Sequence, residues 1–294
     1  MRLGRIVNVA SVAKRSPFRY PGGKTWLVPY IRVWLSARDS RPSEFIEPFA
    51  GGAIVGLTVA VEGLAEHVTL AELDPYVAAV WQTIFDDDGG GVWLADRILN
   101  FNLTHRTVER LLQVEPSTVR ERAFQTIVRN RVNRGGILAP GAGMLKYGEN
   151  GNGILSRWYP ETLSKRIQDL LAIRDRITFI GGDGIKVLRA YRRRRNVAMF
   201  IDPPYTAAGK RAGQRLYTYF ELDHEGLFDI AQSLQGDFLM TYENTSELVT
   251  LARQHGFQTK FVPMRNMHQV KMNELLIGKN LGWLRSHGST RTWP

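Results

Sequence analysis

The sequence predicts an α/β fold built on a largely parallel sheet, and three stretches carry that expectation. Val197-Ala198-Met199-Phe200-Ile201 is a run of apolar residues without a charge, the pattern of a short strand buried on both faces. Glu44 to Ala53, followed by an apolar run through Val61, reads as strand, glycine turn and helix, the first unit of a nucleotide-type fold. His67 to Ala71 reads as a second strand that ends on an acid, Glu72.

The remaining elements follow in order. Trp26, Leu27, Tyr30, Ile31, Trp34 and Leu35 have helical spacing and predict a helix from Thr25. Asp74-Pro75 is an N-cap and first helical position. From about Phe85 to Pro160 the periodicity is broken, arginines accumulate and two glycine clusters occur, at 135–143 and up to Gly153. A loop-rich segment of this length inside a compact domain points to a function of its own. An amphipathic helix is predicted over Leu163–Arg176, a strand over Ile177–Ile180 and a helix over Gly184–Tyr191. Arg192 to Arg195 form a solvated basic turn before the central strand. Phe238–Tyr242, Phe257–Val262 and Glu274–Ile277 bring the sheet to about seven strands.

Composition restricts the partners. The chain has 294 residues, 44% of them apolar, enough for a large core in one or two domains. Its formal charge of +11 favours a polyanion, most simply a nucleic acid. Cysteine is absent, which excludes disulfides, thiolate metal sites and a thiol nucleophile. No apolar run reaches the length of a bilayer span, so no membrane partner is expected. Residues 1–17 read as a floppy basic arm and 281–294 as a tail.

The chemistry concentrates at the end of the central strand, in Asp202-Pro203-Pro204-Tyr205. A proline cannot donate to a ladder, so the strand stops at Asp202, at the carboxyl end where open α/β sheets bind ligands. Asp202 and the Pro203 carbonyl could accept two hydrogen bonds from one planar amine, turning its lone pair towards an electrophile. Pro203 and Pro204 stiffen the loop, and Tyr205 offers a face for an extruded base. A plain Pro-rich turn with Asp202 as a cap is the other reading of the same residues.

Phe18-Arg19-Tyr20-Pro21-Gly22-Gly23-Lys24 places a tight turn and a lysine at a helix start, suited to a carboxylate or phosphate. Glu47-Pro48-Phe49-Ala50-Gly51-Gly52 would let a cofactor lie against the main chain, but it is neither G-x-G-x-x-G nor a P-loop. Glu72 stands where a ribose diol is commonly gripped, and Leu73 could cover an adenine ring. Asp183 could meet an adenine amino group or cap the following helix. Arg129, Arg131, Asn133, Arg134, Lys146, Tyr147 and Arg157 mix charge with aromatic faces, as contact with phosphates and bases requires. Lys210, Arg211 and Arg215 lie in a polar stretch, 206–219, that could close over a flipped base. His224 is a weaker general-base candidate.

Taken together and in order, Tyr20–Lys24, Glu47–Gly52, the acid at Glu72 and Asp202–Tyr205 resemble the Dam-like (D12 class) adenine-specific DNA methyltransferases. Asn130-Arg131, Asn133–Gly136, Phe220–His224 and Asn273–Leu276 are similar to other segments of that family. The resemblance runs from Phe18 to about Gly278. It implies a seven-stranded, Rossmann-like S-adenosylmethionine-dependent methyltransferase fold with an inserted, mainly helical DNA-recognition domain. The catalytic domain would comprise 18–84 and 154–280, and the target-recognition insert 85–153.

By that resemblance Tyr20, Gly22, Gly23 and Lys24 would face the cofactor, with Lys24 near its carboxylate. Glu47, Phe49, Gly51 and Gly52 would line its methionine side, with Asp202 nearby, and Glu72 and Leu73 would hold its adenosine. Many family members carry aspartate where Glu72 stands. Asp202, Pro203, Pro204 and Tyr205 would hold the target amine. The implied activity is methylation of a flipped adenine at N6 in double-stranded DNA, without metal or covalent enzyme intermediate. It leaves room for a cognate restriction endonuclease, and implies a monomer in the bacterial cytoplasm or a phage-infected cell. RNA adenine, cytosine N4 or a glutamine amide would satisfy the same acceptor loop, and a catalytically silent DNA-binding protein is the alternative of another class.

Overall fold

The structure is a computed structural model that describes residues 6–204, 222–265 and 270–285. Seven strands form one sheet: β1 (Glu44–Glu47), β2 (His67–Glu72), β3 (Ile177–Gly181), β4 (Val197–Ile201), β5 (Asp237–Glu243), β6 (Gln258–Arg265) and β7 (Lys271–Gly278). Their order is β3-β2-β1-β4-β5-β7-β6. The first five run parallel, and β7 pairs antiparallel with both β5 and β6. The chain starts at β1, winds outward to β3, and then crosses back to β4 on the other side of β1. Strand order therefore reverses between β1 and β4, which opens a crevice beyond their carboxyl ends.

The period-2 alternation of side chains sorts the core into two layers. Phe45, Val68, Leu70, Ala198, Phe200, Leu239 and Leu276 face the layer that holds α1 (Val28–Ser36), α2 (Ile54–Val61) and α3 (Pro75–Phe85). Ile46, Val197, Met199, Ile201, Met240 and Ile277 face the other, with α8 (Gly184–Tyr191), α9 (His224–Ser233) and α10 (Ser246–Gln254). Every residue of β4 is buried, so its sequence is apolar throughout rather than alternating. At ~1.5–3 kcal/mol for each large apolar side chain buried, this strand anchors the residues that follow it.

The segment after Phe85 is more regular than its periodicity suggests. It forms α4 (Gly90–Leu99), α5 (His105–Gln113) and α6 (Val119–Val132), and α7 spans Pro160–Leu171. Capping boxes start α5 at Thr104 and α6 at Thr118, with Glu121 completing the second. Leu94, Ile98, Phe124 and Ile127 join Trp81, Ile84, Ile167 and Leu170 in one core. The expected boundary at residue 85 therefore separates no second core: α4 to α6 are part of the layer on α3. The longest irregular stretch among the described residues there is 133–158, which holds three short 3-10 turns and an isolated bridge from Asn133 to Met144.

Both terminal expectations change as well. Val7 and Val12 are buried in the main core and Arg15 pairs with Glu62 at 3.0 Å, so the described part of the arm is packed rather than floppy. Leu281 and Trp283 are buried in the same core, which carries the globular fold beyond 280. Arg194 lies over the Tyr191 ring at 4.4 Å within the basic turn. Among the described residues no helix is long and apolar enough to cross a membrane.

Candidate active site

Asp202 is the first residue beyond β4, on the side of the sheet that carries Ala198 and Phe200. The register Ile201↔Met240 sets it beside Thr241 of β5, whose Oγ1 donates to Asp202 Oδ1 at 2.6 Å. Lys24 reaches the same oxygen from the loop before α1, with Nζ at 2.9 Å. The Lys24 ammonium also lies 3.2 Å from Glu274 Oε1 on β7 and donates to the Gly22 carbonyl at 3.1 Å. Its side chain is only 4% exposed. A buried ammonium needs such partners, since desolvation would otherwise cost several kcal/mol, on the order quoted for an unpaired buried ion.

Within the protein, the carboxylates that Lys24 meets are Asp202 and Glu274. No helix dipole is needed to explain its place, because the turn after it, Thr25–Leu27, is only a short 3-10 helix.

Two further acids occupy the same edge. Glu47 ends β1 and is buried, and its Oε2 accepts from Gly56 N at 2.6 Å. Gly56 is required there, because a Cβ would fall 2.6 Å from that oxygen. Burial, followed by the charges of Asp202 and Glu72, pushes the Glu47 carboxyl well above the usual range, against the Gly56 hydrogen bond. Its oxygen is thus turned into α2, a different task from lining a cofactor. Glu72 ends β2 and accepts from Gly51 N at 2.7 Å and Asp74 N at 2.8 Å. Burial raises its carboxyl to about 7 in spite of those two donors. Asp74 caps α3 through Tyr76 N, as its sequence predicts. Leu73, between the two acids, is exposed.

The glycine turn is filled from within. A Cβ on Gly51 would sit 2.5 Å from Tyr20 Cε1, and one on Gly52 2.7 Å from Tyr20 Cβ. Gly51 also has φ +47°. These glycines make room for the Tyr20 ring. Trp81 Nε1 donates to the Gly51 carbonyl at 2.9 Å and fixes the turn from below. Gly22 and Gly23 are exposed in the turn before Lys24, and Phe49 is half-buried against the α8 layer. Asp183 caps α8 through Ile185 N at 2.8 Å. Pro203 is buried and Pro204 half-buried. Tyr205, Lys210, Arg211 and Arg215 lie outside the described residues.

The basic candidates divide by burial. Arg131 is 4% exposed and donates to the Pro17 carbonyl, while Asn133 donates to Ile137 O at 2.8 Å. Burial, with the nearby charges of Arg166, Arg19 and Arg157, lowers the Arg131 guanidinium to about 9. Both side chains are spent inside the fold, so the expectation that they face a nucleic acid is corrected. Arg129 lies over the Tyr76 ring at 5.4 Å and Arg157 is half-buried. Arg134, Lys146 and Tyr147 are exposed, and Arg134 and Lys146 line one surface cleft with His105 and Met144. His224 bonds through Nδ1 with the Tyr242 hydroxyl at 3.0 Å, and burial lowers its pKa.

Sequence reasoning missed Thr241 and Glu274 as members of the site. Thr241 breaks an apolar run within β5, and Glu274 is the polar residue at which the buried half of β7 begins; those positions were the available signal. Among the described residues no group of His, Asp or Glu is arranged to hold a metal ion.

A seven-stranded mixed sheet with helices on both faces, reversing at β1/β4 and carrying acids along its carboxyl edge, defines the class: a Rossmann-like α/β fold. The family model of the D12 class N6 adenine-specific DNA methyltransferases matches residues 20–127, so the resemblance read from the motifs holds over that segment. The match begins at Tyr20, includes Glu47–Gly52 and Glu72, and ends in α6, before Asp202. Among curated proteins none matches the chain. Solved structures with a similar course include PH1948 from Pyrococcus horikoshii, provisionally assigned as an RNA methyltransferase, at 8% identity and TM-score 0.41, covering 92% of each chain. The rRNA methyltransferase aviRa from Streptomyces viridochromogenes has 11% identity and TM-score 0.39, covering 92% of this chain and 88% of its own. A precorrin-6y C5,15-methyltransferase from Geobacter metallireducens GS-15 has 10% identity and TM-score 0.38, covering 91% of each. What each of these acts on is a property of that protein.

Proposed function

We propose that this chain is a site-specific DNA methyltransferase that modifies the N6 amino group of an adenine flipped out of the duplex. The position of Asp202 carries the reading. It stands beyond β4 at the reversal of strand order, next to a buried proline, with Oδ1 fixed by Thr241 and Lys24. The choice of DNA adenine rests on the family model that matches residues 20–127.

S-adenosylmethionine, when bound, supplies an electrophilic methyl group beside the amine. Glu72 at the end of β2, exposed Leu73 beside it and Asp183 beyond β3 would hold it, the two carboxyl groups fixed by Gly51 N, Asp74 N and Ile185 N. Asp202 and the Pro203 carbonyl accept hydrogen bonds from the amine and turn its lone pair away from the ring. The prolines hold these acceptors in place before the substrate arrives, so little ordering remains for the reaction step. Asp202 need not act as a strong base, because an amine that has gained a methyl group is cationic and sheds its proton readily. Double-stranded DNA is the partner, engaged by the exposed Arg134, Lys146 and Tyr147; a monomer suffices.

The test is transfer of tritiated methyl groups from labelled S-adenosylmethionine to unmethylated DNA, RNA and protein. Wild type should label DNA on adenine, and Asp202→Ala should abolish labelling while cofactor affinity stays within a few-fold. An active Asp202→Ala, or labelling confined to RNA, would refute the proposal.

A further inference from the structure

The geometry points to Thr241 and Glu274 as positioning residues that aim the Asp202 carboxylate through one hydrogen-bonded chain. This rests on the reading of Asp202 as the acceptor of the target amine. Asp202 lies beyond the last ladder pair of β4, so strand pairing does not fix its side chain. Its carboxylate is oriented by what touches Oδ1: the Thr241 hydroxyl at 2.6 Å and the Lys24 ammonium at 2.9 Å.

Thr241 is completely buried in the middle of β5, paired with Leu276 of β7, and cannot drift. Lys24 has three N–H donors, and Asp202, Glu274 and the Gly22 carbonyl supply three acceptors. Glu274, opposite Glu243 in the β5–β7 pairing, therefore sets where the ammonium stands and how far it leans towards Asp202. With Oδ1 held by two donors, the carboxylate cannot rotate about its own bond without breaking both. The Asp202 side chain is 20% exposed, and on the proposed reading the amine approaches from that side.

The residues that fix this direction come from three places: the loop before α1, the β5 strand and the antiparallel β7. The edge hairpin of the sheet thus contributes to the reaction centre. Neither Thr241 nor Glu274 touches the reacting atoms, so their removal should act on the rate rather than on affinity.

The experiment is a kinetic comparison of Thr241→Val, Thr241→Ser and Glu274→Gln with wild type on unmethylated DNA, with cofactor affinity measured by calorimetry. A hydrogen bond to a charged group is at stake, so Thr241→Val should lower kcat roughly 10- to 100-fold. The KM for DNA and the cofactor affinity should stay within about 3-fold, an order-of-magnitude bound for groups that touch neither ligand. Thr241→Ser restores the hydroxyl and should recover kcat. Glu274→Gln keeps an oxygen for Lys24 but removes the charge that holds the ammonium, so kcat should fall while KM and cofactor affinity stay within the same bound. A Thr241→Val enzyme that retains wild-type kcat, or a Thr241→Ser enzyme as slow as Thr241→Val, overturns the inference alone. A wild type that methylates no nucleic acid removes the reading beneath it, and the inference with it.

Discussion

Alanine at Gly51 should be costly for two separable reasons, and the structure assigns a size to each. Gly51 has φ +47°, a left-handed conformation that costs an L-residue about 1–2 kcal/mol. Ala53, two residues on, already has φ +50°, so this turn tolerates alanine in that region and the lower end of the range applies. The second cost is steric. The new Cβ would lie 2.5 Å from Tyr20 Cε1 and 2.8 Å from Cζ, and the ring packs against the main core. Forcing a packed ring aside costs typically ~1–3 kcal/mol. Gly51→Ala should therefore destabilise the fold by about 2–4 kcal/mol. Tyr20→Ala removes the collision, so in that background only the conformational cost should remain. Equilibrium urea unfolding of wild type, both single variants and the double variant closes the cycle, with an expected coupling of ~1–3 kcal/mol. Costs that add to within about 0.5 kcal/mol would show that the glycine does not exist to seat Tyr20.

Other consequences follow from the same geometry. Glu72 has its carboxyl raised to about 7 in the fold, so the protonated form is the one folding favours. Its contribution is fully present below the unfolded value near 4.5 and is lost as pH rises through about 7, up to ~3 kcal/mol. Thermal unfolding between pH 4.5 and 8 should show this slope in wild type and lose it in Glu72→Gln; parallel curves would contradict it. For nucleic-acid contact, exposed Arg134 and Lys146 should each reduce the slope of log affinity against log salt by about 1 when changed to alanine. Arg131→Met should leave that slope untouched, because its guanidinium is buried on the Pro17 carbonyl. A slope change for Arg131→Met equal to that for Arg134→Ala would reverse the division by burial.

The sheet was legible because its signals are local. A strand buried on both faces is apolar throughout, and β4 announces itself; a strand that ends on Pro203-Pro204 can only end there. All seven expected strands are present; β6 runs three residues further and β7 starts three residues earlier than expected, and the other stated ends agree within a residue. The helices of 90–132 were harder, since α6 carries arginines on most of its turns and its buried positions include Gln125, Asn130 and Arg131. Its capping box at Thr118-x-x-Glu121 was the legible sign. The site was legible in its anchors and not in its wiring. Asp202, Lys24 and Glu72 stand out by position, but which carboxylate Lys24 meets depends on β7, some 250 residues away in sequence and antiparallel to β5. The role of Gly51 likewise depends on Tyr20, which no spacing rule connects to it.

The electrostatics of the chain separate two substrates of opposite charge. The protein carries +11 overall, yet its crevice is bordered by Glu72, Asp202 and Glu274 on one side of the sheet, with Lys24 among them. A phosphate backbone would be repelled from that edge and drawn to exposed Arg134 and Lys146. A sulfonium cofactor and an uncharged amine suffer no such repulsion, and hydrogen-bond acceptors are what the amine requires. On the proposed reading, DNA can then bind by its backbone at the surface of 133–158 while only the extruded base enters the acidic crevice. Lys24 is what makes the crevice compatible with folding. Without an ammonium shared between Asp202 and Glu274, two carboxylates would share a largely buried space with no counter-charge. On the proposed reading the lysine's value to the reaction lies in keeping Asp202 aimed, even though the lysine itself need touch neither substrate.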